Sequence, residues 1–244
     1  MRRVSFRVIG VIVSCLITSL LCGCNLFVTD KDKFYLNKNL DYDLTWIDLE
    51  KAGTDIIIPI KVGDKEIREI YLADPYFTRI DSLDVSRVKE LRSFHLELFT
   101  DEKKSKLRKL DFSKNKELRD IFISKTNALK EVSFSNNCKS IHLSGTSVKK
   151  VNLRSLKRLK YFTFYDGPLE ELDVSNNPHL EQIWIENANI KVLDVSKNPK
   201  LKNIIPAIPN IAYSTKAATN ISENGVITYA RTYNDFDVLT WYNS

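Results

Sequence analysis

Cysteine is scarce in this chain of 244 residues. There are four, and Cys15, Cys22 and Cys24 crowd into the first 24 positions, leaving Cys138 alone in the body of the protein. A single thiol forms no internal disulfide and no thiolate metal cluster, which excludes a disulfide-stapled scaffold. Histidine is scarcer still, with His95, His142 and His179 widely separated and no H-E-x-x-H pair. Seven glycines and seven prolines argue against low complexity, and no glycine-rich phosphate loop or nucleophile elbow is present. Neither sign of charge dominates. The formal charge is +6, and Arg2, Arg3 and Arg7 supply half of it. The remaining excess is a weak basis for a nucleic-acid partner, and none is expected. No cofactor and no metal are expected. What is left, 43% hydrophobic and 28% charged residues, suits one globular domain with a large core.

The first strong positive signal is the N-terminus. Arg2, Arg3 and Arg7 form a basic segment and residues 8–21 an apolar one, the pattern of a secretory signal peptide rather than a spanning helix. The segment ends Leu21-Cys22-Gly23-Cys24, which resembles a bacterial lipobox with Cys24 as the lipidated residue. Residues 1–23 are therefore read as leader and 24–33 as tether.

The second signal is a repeat. Leu169-x-x-Leu172-Asp173-Val174-Ser175-x-Asn177 recurs 21 residues later as Ile190-x-x-Leu193-Asp194-Val195-Ser196-x-Asn198, and Leu180-x-x-Ile183-Trp184-Ile185 lies between. In L-x-x-L-x-L the last two apolar residues share one face of a short strand. One unit cannot bury that face alone, but stacked coils can. This predicts a leucine-rich-repeat solenoid over residues 67–205, with two short parallel strands per coil of about 21 residues. The strands centre on Tyr71, Asp84, His95, Asp111, Phe122, Ser133, His142, Asn152, Thr163, Asp173, Trp184 and Asp194. The closing asparagines predict a ladder of side-chain amides through Asn115, Asn137, Asn177 and Asn198, broken near residues 148–159. Residues 97–106 must bulge as a loop. Residues 34–66 are read as an N-terminal cap. Pro206 and Pro209 end the spacing, and 206–244 is read as a β-rich C-terminal cap with a hairpin built from 226–233 and 236–241.

The alternation of L-D-V-S-x-N-P-x-L with L-x-x-I-x-I resembles bacterial leucine-rich-repeat proteins related to the internalins, including the lipoprotein versions common in the Bacteroidetes. The resemblance implies a solenoid displayed outside the cytoplasm that binds a protein or a glycan. With the leader, it leads to a non-enzymatic recognition module held in the cell envelope, at the outer membrane, by a lipid on Cys24. Two other readings remain: a structural subunit of an envelope assembly, and a hydrolase on a solenoid scaffold.

Candidate sites follow from the coil geometry. His95 and His142 share a row but stand two coil steps apart, ~10 Å at ~4.8 Å per step, whereas two zinc ligands each sit within about 2 Å of the metal. Asp173 and Asp194 should lie about 5 Å apart, near the carboxylate spacing of a retaining glycosidase. Asp84 and Asp111 fill the same slot, however, so the aspartates recur with the repeat. Cys138 takes a leucine position and reads as a buried inert thiol. The basic stretches 103–109 and 149–160 alternate with buried positions and read as solvated faces, with a lipid headgroup or acidic glycan as the lesser alternative. The remaining row, His95, Phe122, His142, Thr163 and Trp184 with flanking Tyr161 and Tyr165, puts aromatics outward on strands, where they add nothing to the core. It is the expected ligand face, with Trp184 as its main anchor. The competing expectation is that a cap or the 97–106 loop folds over it.

Overall fold

A computed structural model describes residues 33–36, 43–73, 80–98, 106–190, 192–207, 220–221 and 226–228. The leader with Cys24, the tether up to residue 32, most of the 97–106 loop and the 236–241 strand lie outside the described residues.

The chain winds as a β-solenoid. Its spine is a nine-stranded sheet of β1 (Phe34–Leu36), β2 (Asp43–Ile47), β6 (Glu69–Leu72), β8 (Ser93–Glu97), β10 (Asp120–Ser124), β12 (Ser140–Ser144), β13 (Tyr161–Tyr165), β14 (Gln182–Glu186) and β16 (Asn203–Ala207), in that order. From β2 onward every pairing is parallel, one strand per coil; β1 closes the N-terminal edge antiparallel to β2. Each strand alternates, as the L-x-x-L-x-L spacing requires. Ile70, Phe94, Ile121, Ile141, Phe162 and Ile183 form one buried row, and Leu72, Leu96, Ile123, Leu143, Phe164 and Ile185 a second. Both rows belong to one core that runs the length of the solenoid.

The second strand of the coil is less regular than expected. β3 (Asp55–Ile57) pairs with β7 (Ser82–Asp84), and β9 (Lys109–Asp111) with β11 (Glu131–Ser133), all parallel. The strands expected at Asn152 and Asp173 do not form; a single bridge, Lys150 to Glu171, stands in their place. β15 (Val192–Asp194) pairs antiparallel with β18 (Val226–Thr228), which also pairs with β17 (Asn220–Ile221). Within the C-terminal segment β17 and β18 thus pair with each other and β18 lies beside β15, while most of the expected 226–233 and 236–241 hairpin lies outside the described residues. The segment read as an N-terminal cap contributes β2 and β3 to the two coil sheets and Leu44, Ile56 and Ile58 to the common core. A short helix, α1 (Leu49–Ala52), joins those strands, and a hairpin of β4 (Lys61–Val62) and β5 (Lys65–Glu66) follows. Pro206 does not end the spacing: it lies in β16, in register with Ile185. Among the described residues β16 is the sheet's last strand, a place where proline is tolerated.

Turns fix the coils. The carboxylates of Asp84, Asp111, Asp173 and Asp194, and the amide oxygen of Asn152, each accept the backbone N–H two residues on, at 2.8–3.2 Å. These are Asx turns, which explains why the row is short and polar at these five positions. The amide ladder is real but differs by one member. Asn115, Asn177 and Asn198 are buried, and each donates both amide hydrogens to two carbonyls of the preceding coil. Asn137 is half-exposed and donates to the Lys116 carbonyl instead. The reason is length. The Cys138 N–H donates to Ser135 O, where Leu118 donates to Asn115 O and Leu180 to Asn177 O. Ser135 therefore takes the ladder slot, and Asn137 slips to the surface. Leu156 fills the next slot, where the ladder breaks as expected.

Candidate functional site

Every outward position of the long strands belongs to one face. Its middle row runs Tyr71, His95, Phe122, His142, Thr163, Trp184, in unbroken register. Glu69, Ser93, Asp120, Ser140, Tyr161 and Gln182 flank it on one side, and Glu97, Ser124, Ser144, Tyr165 and Glu186 on the other. The structure thus brings all seven expected site residues onto one surface. It adds Tyr71, which stands between Ile70 and Leu72 as His95 stands between Phe94 and Leu96. That spacing was readable in the sequence.

The rings are not equivalent. Phe122 is sandwiched between the imidazoles of His95 and His142, with centroids 4.2 and 4.1 Å away and interplanar angles of 13° and 10°. Tyr71 extends the column at 4.3 Å, and Tyr165 closes it edge-on against His142 at 4.9 Å. Three rings therefore spend their faces on one another and show edges to solvent. They act as a spine tying successive coils together, at roughly 0.5–1.5 kcal/mol per aromatic contact. The exposed rings are Tyr71 at 51%, Tyr161 at 41% and Trp184 at 37%. Trp184 and Tyr161 lie on adjacent strands. The Trp184 Nε1–H donates to Glu186 Oε2 at 3.3 Å, and the Tyr161 hydroxyl donates to Glu181 Oε2 at 3.2 Å, so both rings are held in place. Among the described residues nothing folds over these two rings. Thr163 sits between them and His142 as the one small residue of the row.

Burial disfavours the charged form of both imidazoles. Nε2 of each is buried and lacks a hydrogen-bonding protein group, since Glu97 Oε2 stands 3.9 Å from His95 Nε2. Burial lowers the His95 pKa, and Glu97 opposes the shift. Burial, with a smaller push from His95, lowers the His142 pKa to about 4, again against Glu97. A base whose folded pKa lies below its unfolded value of about 6.5 binds its proton better when unfolded. This contribution is thus fully present above pH 6.5 and lost as pH falls from 6.5 toward 4. Because His142 is only half-buried, the expected loss is on the order of 1–2 kcal/mol. Urea midpoints measured between pH 7 and 4.5 should show this slope, and His142→Asn should flatten it. An equal slope in that variant would place the titrating group elsewhere.

The other candidates are accounted for structurally. The Asp173 and Asp194 carboxylates serve their turns, and the bonds from Ser175 and Ser196 hold both below the usual carboxylate range. Burial pushes the Cys138 thiol up to about 12, as befits an inert packing residue in a row that elsewhere holds Leu118, Leu159 and Leu180. The basic stretch 149–160 is largely paired one coil on: Lys149 with Glu170 at 2.7 Å, Lys150 with Glu171 at 2.9 Å, Lys160 with Glu181 at 2.7 Å, and Arg154 with Asp173 at 3.6 Å.

One parallel strand per coil, an apolar double row and asparagines that bridge coils decide the architecture. The fold is a leucine-rich-repeat solenoid. No family model matches the chain, and no curated protein matches it. Among solved structures it is similar to the functional domain of InlJ from Listeria monocytogenes, which includes a cysteine ladder. The identity is 20% and the TM-score 0.46, over 65% of this chain and 36% of that one.

Proposed function

We propose that the chain is a lipid-anchored extracytoplasmic recognition module that binds a protein or glycan ligand on the outward face of the nine-stranded sheet. The observation that carries this reading is the pair of oriented, exposed rings, Trp184 and Tyr161, on a face that contributes nothing to the core. Aromatic anchors of this kind dominate binding energies, and they cost solubility when unused. The internal column formed by His95, Phe122 and His142 supports the surface beneath the ligand, with Thr163 and Tyr165 between the column and the anchors. The module works without catalysis, since the recurrent carboxylates are committed to turns. It sits in the bacterial envelope, at the outer membrane, through a lipid on Cys24.

The test is Trp184→Ala combined with Tyr161→Ala. Capture of envelope proteins or arrayed glycans should fall roughly tenfold or more with an unchanged circular dichroism spectrum. Undiminished capture would sink the ligand-face reading. Phe122→Ala is the wrong probe, because it breaks the column. Labelled fatty acid should enter the wild type and be absent from Cys24→Ala; label retained in that variant rejects the anchor.

A further inference from the structure

A second site lies away from the aromatic row, at the edge where the long strands begin. Each coil there carries a buried residue flanked by two outward ones. Read coil by coil, the triplets are Glu90-Leu91-Arg92, Glu117-Leu118-Arg119, Asn137-Cys138-Lys139, Arg158-Leu159-Lys160 and His179-Leu180-Glu181. The residues after the buried position are joined by backbone hydrogen bonds: the N–H of Arg119 donates to Arg92 O, that of Lys139 to Arg119 O, and that of Lys160 to Lys139 O. Their side chains therefore rise from points one strand spacing apart, ~4.8 Å.

The first two triplets place an acid beside each base. At the third and fourth that balance fails, because Asn137 and Arg158 stand where Glu90 and Glu117 stood. Lys160 finds its partner in Glu181, one coil on. Arg119, Lys139 and Arg158 form no ion pair among the described residues. They converge on a cavity of about 130 Å³, completed by Asn137 and Glu117. It has three cations, one carboxylate and the side chain of Asn137, whose own amide nitrogen is anchored on Lys116 O at 2.7 Å. Asn137 reaches the cavity only because the two-residue shortening of this coil expelled it from the ladder.

We infer that this cavity binds a single oxyanion of the sulfate or phosphate type. Two guanidinium groups and an ammonium, drawn from three successive coils, offer charge-assisted donors to its oxygens. An anion there offsets the mutual repulsion of the three cations and exceeds the charge that Glu117 supplies. The three donors suit one anionic group, whether it is free or carried on a lipid headgroup.

The experiment uses the full chain and compares Arg119→Gln/Lys139→Gln/Arg158→Gln with wild type. Sodium sulfate and sodium phosphate should each raise the wild-type Tm saturably above sodium chloride at matched ionic strength. The triple variant should bind sulfate roughly tenfold or more weakly, with a Tm in chloride no lower than wild type. Lys149→Gln/Lys150→Gln, which removes cations already paired, should keep the full response. Vesicles of phosphatidylcholine with phosphatidylglycerol form the second arm. Capture lost only in the triple variant assigns the oxyanion to a headgroup, whereas a saturable sulfate response without capture assigns it to the free ion. An equal sulfate response in the triple variant, or no difference from chloride in the wild type, overturns the proposal. Trp184→Ala/Tyr161→Ala should leave the sulfate response intact, so this site and the ligand face fail or stand independently.

Discussion

Phe164→Ala is expected to lower stability by about 3–5 kcal/mol, the largest effect of any single truncation considered. Phe164 is fully buried on β13, flanked in register by Leu143 and Ile185. Both neighbours sit on strands paired on two sides, so neither can move to fill the void. The corner above it cannot help. Gly167 has no side chain, and a Cβ there would stand 2.8 Å from Phe164 Cζ and 2.8 Å from the Thr146 carbonyl oxygen. For a domain of this size the corresponding fall in Tm is roughly 10 °C or more. Guanidinium unfolding of the variant measures it, and a cost below about 1 kcal/mol would mean that the coils can slide to close the cavity.

Asn177→Ala should cost about 2–3 kcal/mol, more than the same change at Asn198. Its amide donates to Leu153 O at 2.9 Å and Leu156 O at 2.8 Å. Those carbonyls keep their local turn bonds to the Leu156 and Leu159 N–H groups, so the loss is partial. What makes the position sensitive is its neighbour. Leu156 occupies the ladder slot of the preceding coil and sends no rung backward, so Asn177 is the buried side chain that ties this turn to the array. Asn198 bonds a turn that Asn177 already anchors from the other side. Asn177→Leu should cost less than Asn177→Ala, since Leu156 shows that the slot accepts that shape. Equal urea midpoints for wild type and Asn177→Ala would mean that the rungs contribute nothing.

The fold was legible where one local spacing determined one local structure. L-x-x-L-x-L marks the long strands because alternation follows directly from the pleat, and the aspartates mark turns because the side chain bonds its own backbone two residues on. Asn137 was misread because Ser135-Asn136-Asn137 offers several polar side chains to one slot, and only the length to the next strand selects among them. β2 and β3 were missed as coil strands for another reason: they carry no repeat motif of their own, and their parallel partners lie 26 and 27 residues further along the chain. At the site, row membership could be read from the repeat, but ring orientation could not. Nothing local indicates that Phe122 turns its faces to two imidazoles, while Trp184, two coils beyond His142, keeps its ring exposed.

The strands from Glu69 to Ala207 stay in register although their starting points, Glu69, Ser93, Asp120, Ser140, Tyr161, Gln182 and Asn203, are unevenly spaced along the chain. All of that unevenness is absorbed between strands, so the sheet works as a ruler with one graduation per coil, ~4.8 Å. Lengthening the chain in the 97–106 loop leaves the separation of Tyr71 and Trp184 unchanged, whereas duplicating a coil between them widens it by one graduation. The separation of any two side chains on this face is therefore metered by coil number, and the character of the surface by the three outward residues that each coil contributes.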